Sequence, residues 1–231
     1  MSTIRTHVNE AIAMARRIAP LDLRDAELRV ELSSEIGWPD GGAAGLTGTA
    51  VQIAMGRNSG CSIIINDVAM LRSTRSVRRE TIETTIHEIA HGLADSWWIH
   101  RRPVALSPAT IAAAAADCMR SMSGPPDEAM RFEDALDHDP DFARVAAHLA
   151  FRLDLLGYPC AARHITGYTW LARISNLADD ILEPELKDKA CYSIHTILKT
   201  PPPPRWREVE KHWADLAMMV KPSRFESAQT E

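Results

Sequence analysis

Residues 77–97 read VRRETIETTIHEIAHGLADSW. Ile82, Ile86, Ile89, Leu93 and Trp97 recur at steps of three and four, the spacing of one helical face. Inside this helix, His87-Glu88-Ile89-Ala90-His91 matches H-E-x-x-H. Residues four apart stand one turn above each other, about 40° apart in projection. Two imidazoles at that spacing can bind one zinc ion, each at a nitrogen–zinc distance of about 2.0–2.1 Å. Glu88 projects about 100° from His87, where a carboxylate meets water beside the metal rather than the metal itself. The apolar stripe lies on the other side of the cylinder. The spacing therefore predicts a helix that buries one face in a core and offers the other to a cleft.

Outward from this helix, 61–66 carries Ile63, Ile64 and Ile65, β-branched residues suited to a buried strand. Residues 50–55 form a second strand candidate, joined to it by the turn Gly56-Arg57-Asn58-Ser59-Gly60. Alternation at Leu28, Val30 and Leu32 predicts another short strand. Residues 39–48, PDGGAAGLTG, read as a loop; they lack both the glycine order and the lysine of a phosphate loop.

The rest reads as helix. Val8, Ile12, Ala15 and Ile18 predict one over about 6–19, ended by Pro20. Ser107-Pro108 opens an alanine-rich helix over about 109–122, and 123–127 breaks the chain. Asp139-Pro140 opens another, with Phe142, Val145, Leu149, Leu153 and Leu156 on one face and Gly157 at its end. Two more are expected over about 168–182 and 186–198. The run 201–204 is a stiff four-proline spacer before a final amphipathic helix over about 206–220, with Trp206, Trp213, Leu216 and Met219 as its apolar positions. A small sheet beside the histidine helix, with a mostly helical remainder, gives an α+β fold. Residues 1–200 form the main domain, and 201–231 a spacer, terminal helix and polar tail.

Composition narrows the function. The 231 residues carry a formal net charge of −5, which argues against tracking a phosphate backbone, so nucleic acid is not the expected partner. Arg72, Arg75, Arg78, Arg79, Arg101 and Arg102 form a local exception, read either as solvated surface or as a gatherer of an acidic ligand. Cys61, Cys118, Cys160 and Cys191 make no C-x-x-C pair and read as reduced, buried thiols. The first 20 residues are charged throughout, without a signal-like apolar core, and no stretch has the length of a membrane helix. A soluble cytoplasmic protein is expected; its oligomeric state is left open.

Catalytic zinc takes a third protein ligand and keeps a fourth position open. The pattern H-E-x-x-H-x-x-G-x-x-H needs glycine at 94 and histidine at 97, where Ala94 and Trp97 stand. The third ligand therefore comes from elsewhere. His138, just before the Asp139 cap, is one candidate. Glu133, four residues before Asp137, is a second, and His100 and His148 complete the set.

His87–His91 followed, 47 positions after His91, by His138-Asp139-Pro140-Asp141-Phe142 resembles the SprT-like group of zincin metallopeptidases. In that group H-E-x-x-H precedes a second motif, H-G-P-E-F/W. Asp139 and Asp141 replace its glycine and glutamate, and the zinc ribbon of some members is missing. The resemblance covers about 60–155. It implies a zincin-like fold, zinc as cofactor held by His87, His91 and His138, and Glu88 as the catalytic base. The implied reaction is hydrolysis of a peptide or protein substrate by attack of zinc-activated water. The same chemistry serves a non-peptide amide or ester, and a zincin-fold binding protein without turnover is a further alternative. Tyr158, His164 and Tyr168 are candidates by residue type for holding an oxyanion.

Overall fold

The computed structural model describes residues 3–38, 50–54, 61–72, 76–94, 101–121, 138–166 and 172–220. Three strands, β1 (Arg29–Leu32), β2 (Ala50–Ala54) and β3 (Cys61–Ile65), form one sheet in the order β1-β3-β2. β2 and β3 pair antiparallel, Ala50 opposite Ile65 and Ala54 opposite Cys61; β1 runs parallel to β3, Val30 opposite Ile63. The apolar run of β3 is explained by this central place. Side chains alternate across a strand. Ile63 and Ile65 enter the main core with the helices α1 (Thr3–Ile18) and α4 (Val77–Ala94), while Ile64 packs with Trp38, Val104, Ile111 and Ala115 on the opposite face. Ile111 and Ala115 belong to α5 (Pro108–Ser121), so the alanine-rich helix covers the side of the sheet away from α4. Ser107 Oγ caps it by accepting from Thr110 N at 3.1 Å.

Three short helices were not anticipated, over 20–23, 67–72 and 162–165. α2 (Pro20–Leu23) begins at the proline that ends α1, and α3 (Asp67–Arg72) follows β3 directly. Asp67 accepts from Ser33 Oγ at 2.7 Å and Ser34 N at 3.1 Å, tying the start of α3 to the end of β1.

α4 is more enclosed than a one-sided amphipathic helix. Ile82, Ile86, Ile89 and Leu93 are buried as the spacing requires, but so are Thr81, Glu83, Thr85, Ala90 and Gly92. α1 and the sheet pack against α4, and so do α6 (Pro140–Leu155), α7 (Ala162–Ile165) and α9 (Ile194–Lys199). Burial thus extends well beyond the isoleucine stripe, while His87 and His91 stay partly exposed.

α6 starts as Asp139-Pro140 predicts. Asp139 Oδ1 accepts from Phe142 N at 2.8 Å, and Pro140 fills the first turn. Phe142, Val145, Leu149 and Leu153 are buried in the main core, but Leu156 is exposed, because the helix has ended at Leu155. Gly157, at φ +81°, takes the left-handed turn that closes it. Ala143 and Ala147 on another face of α6 meet a second core with Ala178, Ile181, Leu182 and Leu186 of α8 (Ala172–Asp188), and with Trp206 and Val209. Trp206 closes a 3-10 turn (Pro204–Trp206), and Val209 lies on α10 (Arg207–Val220). Val209 and the partly buried Trp213 thus pack the first part of the terminal helix against this second core; the side chains of Leu216 and Met219 lie outside the described residues.

The break expected between 182 and 186 is absent, since α8 runs through Pro184. A helical proline deprives the carbonyl four residues earlier of its donor. Asp180 and Pro184 are both exposed, so water can serve that carbonyl. Cys160 and Cys191 are free thiols; Cys191 is exposed rather than buried, since it lies in the turn after α8. Among the described residues no helix is long and apolar enough to cross a membrane.

Candidate metal centre

His87 and His91 leave α4 one turn apart, and His138 approaches from the residue before the α6 cap. Their Nε2 atoms converge. His87 Nε2 stands 3.2 Å from His91 Nε2 and 3.3 Å from His138 Nε2. The fold thus brings together three histidines separated by up to 51 positions. Glu133 and Asp137, and also His100, lie outside the described residues. His148 is elsewhere, fully buried on α6 with Nε2 at 2.9 Å from Glu185 Oε1.

The surroundings favour neutral rings at His87 and His91 and help to aim the cluster. His87 Nδ1 bonds the carbonyl of Ile165, the last residue of α7. A carbonyl only accepts, so Nδ1 carries the proton and the Nε2 lone pair faces the cluster. Phe142, one turn into α6, stacks on His91 with ring centroids 4.2 Å apart and meets His138 edge-on at 4.7 Å. Burial lowers the His87 pKa against the opposing effect of the Ile165 bond. Burial, with His87 and His138 as neighbours, pushes His91 down to about 2. Metal ligation requires neutral imidazoles, so this donor set suits a cation. Among the described residues His87, His91 and His138 form one group able to hold a metal ion.

Glu88 is 8% exposed, with Oε1 3.9 Å from His87 Nε2. Its carboxylate therefore lies beside the converging nitrogens without being one of them, the place expected of a base.

A second group of donor types, Glu83, Cys160 and His164, stands one turn back along α4. Here the cationic place is taken by Arg79. Its Nε donates to Glu83 Oε1 at 2.8 Å, and a terminal nitrogen donates to Pro159 O at 3.2 Å and meets His164 Nδ1 at 3.3 Å. Ala161 N also donates to His164 Nδ1, at 3.1 Å. His164 is thus committed to α7 and its approach, and Tyr158 lies with Arg78 over its ring rather than in the histidine cluster. Tyr168 lies outside the described residues. Of the arginine run, Arg79 stands beside the site, and the side chain of Arg72 lies outside the described residues. Arg78 pairs with Glu10, and Arg101 and Arg102 line a shallow depression with Asp25 and Glu27; Arg75 lies outside the described residues.

Sequence reading missed Ile165 and Glu83. A backbone carbonyl leaves no trace in residue type, so Ile165 was invisible. Glu83, one turn before His87 and inside an otherwise buried stretch, carried a weak signal. No protein-family model, curated protein or solved structure matches the chain.

Proposed function

We propose that the chain is a zincin-like, zinc-dependent metallopeptidase in which His87, His91 and His138 hold the metal and Glu88 is the general base. One observation carries this reading: the spacing of the three imidazole nitrogens. Four ligands placed tetrahedrally at about 2.0–2.1 Å from zinc are separated by about 3.3 Å. The two Nε2 separations of 3.2 and 3.3 Å equal that edge. Three protein ligands leave the fourth position for water or substrate, as in catalytic sites.

When bound there, zinc supplies Lewis-acid activation of water and of the substrate carbonyl. Glu88 takes the proton from the attacking water and returns it to the leaving amine. His87, held by Ile165, and His91, held against Phe142, keep their orientation throughout.

The test is cleavage of a mixed peptide library by zinc-loaded protein, read by mass spectrometry. Cleavage is expected to stop with chelator and return with added zinc. A protein that holds zinc but cleaves no peptide would overturn the peptidase reading.

A further inference from the structure

We propose that Arg79, Glu83 and His164 form a latch that positions the metal ligand His87, by holding α7 where the Ile165 carbonyl fixes the His87 tautomer. This inference rests on the metal-site reading above and extends it to groups that touch no metal.

α7 is only four residues long. A helix this short has no stability of its own, so its place is set by what grips it. Ala162 and Ile165 are buried and supply apolar contact, but burial does not fix the carbonyl to the accuracy that a hydrogen bond requires. Asp179 of α8 accepts from the Ala162 backbone N–H at the start of α7, and a second polar grip, beside Ile165, comes from α4. Arg79, Glu83 and His87 follow one another at four-residue steps, one stripe along that helix. Opposite them lie Pro159, His164 and Ile165, met in the same order. Arg79 donates to Pro159 O and His164, Glu83 anchors Arg79 at 2.8 Å, and His87 Nδ1 donates to Ile165 O. Glu83 is 2% exposed, so its ion pair with Arg79 is only partly screened.

The chemistry of His164 fixes the direction of these bonds. Its Nδ1 meets two N–H donors, from Ala161 and from the permanently charged Arg79, and so acts as acceptor. That lone pair is then unavailable to a metal. The cluster of Glu83, Cys160 and His164 therefore acts through a guanidinium, as a mechanical link, and not as a second metal site. Groups that orient a ligating histidine typically change metal affinity by about 10–100-fold.

Two variants test the latch, Arg79→Ala and Arg79→Ala/Glu83→Gln. The single variant leaves a buried carboxylate without its arginine; the double removes that charge and restores much of the lost stability. Zinc affinity is measured by competition with a chromophoric chelator, alongside nitrogen-15 NMR of the His87 ring in metal-free protein. Zinc dissociation constants are expected to rise about 10–100-fold in both variants. The His87 ring is expected to change from the Nδ1–H form to a mixture of tautomers in both. Wild-type affinity with an unchanged ring in the double variant would overturn the latch. A second zinc in wild-type protein, lost with Cys160→Ser, would overturn it in favour of a metal site. Should wild-type protein bind no zinc, the metal-site reading fails, while the ring spectra still decide whether the latch sets the tautomer.

Discussion

Replacing Glu88 by glutamine is expected to leave zinc bound and to lower kcat by about 100- to 10,000-fold, the usual worth of a general acid–base group. The substitution keeps shape and burial and removes the ability to accept a proton. Glu88 directly follows His87 on α4, and its carboxylate stands 3.9 Å from Nε2 of that residue. The proposed metal donors are three imidazoles, so the substitution leaves their nitrogens where they are. KM is expected to change little, because Glu88 acts on the proton and not on the bulk of the substrate. Steady-state kinetics on zinc-loaded protein, with metal content measured on the same sample, checks both halves. Full activity in the variant would remove Glu88 from the mechanism.

The second large effect concerns stability. Arg144→Ala is expected to cost about 3–5 kcal/mol, the range for breaking a buried ion pair by deleting one partner. Arg144 Nε and a terminal nitrogen bond the two oxygens of Glu185 at 2.9 and 2.8 Å, a paired contact with both residues buried. His148 Nε2 adds a third bond at 2.9 Å, and Arg144 also reaches Thr200 O at 3.0 Å. These contacts tie α6 to α8 and to the end of α9. Since α6 begins beside His138 and carries Phe142, they also hold the metal site's third approach. Replacing both charges, Arg144→Met with Glu185→Leu, is expected to recover most of the loss. Chemical denaturation at neutral pH reads these differences; a cost below about 1 kcal/mol for Arg144→Ala would place the pair among surface-like interactions.

The same network gives a pH dependence. Burial alone would raise the Glu185 pKa, but bonds from His148 and Arg144 and the guanidinium charge hold it down at about 2. A carboxylate whose folded pKa lies below its unfolded value stabilises the fold above the unfolded pKa. That contribution is lost as pH falls from the ordinary carboxylate range toward 2.

What the sequence made legible follows from local rules. H-E-x-x-H sits on a helix because its isoleucine spacing is helical, and Asp139-Pro140 starts α6 because cap and first-turn proline are short-range devices. Ile63, Ile64 and Ile65 marked a buried strand because a central strand buries both faces. The break expected between 182 and 186 did not form, since α8 runs through Pro184 where Asp180 and Pro184 are exposed. The enclosure of α4 was equally hidden: one covering helix begins 100 positions beyond its end. His138 was one of several candidates for the third ligand, and its meeting with His87 and His91 depends on how α6 docks. The Ile165 carbonyl was not legible at all, because it acts through position and not residue type; Arg79 stood out only as one of an arginine run, and its partners Pro159 and His164 depend on how α7 docks.

Whether His87, His91 and His138 together hold a zinc ion is decided by zinc per chain, from elemental analysis of protein purified without chelators, compared with His138→Ala. About one zinc per chain is expected in the wild type, with its loss on dialysis from the variant, which retains only two of the three proposed ligands. A wild-type protein that carries no zinc and takes none up on addition would contradict that expectation.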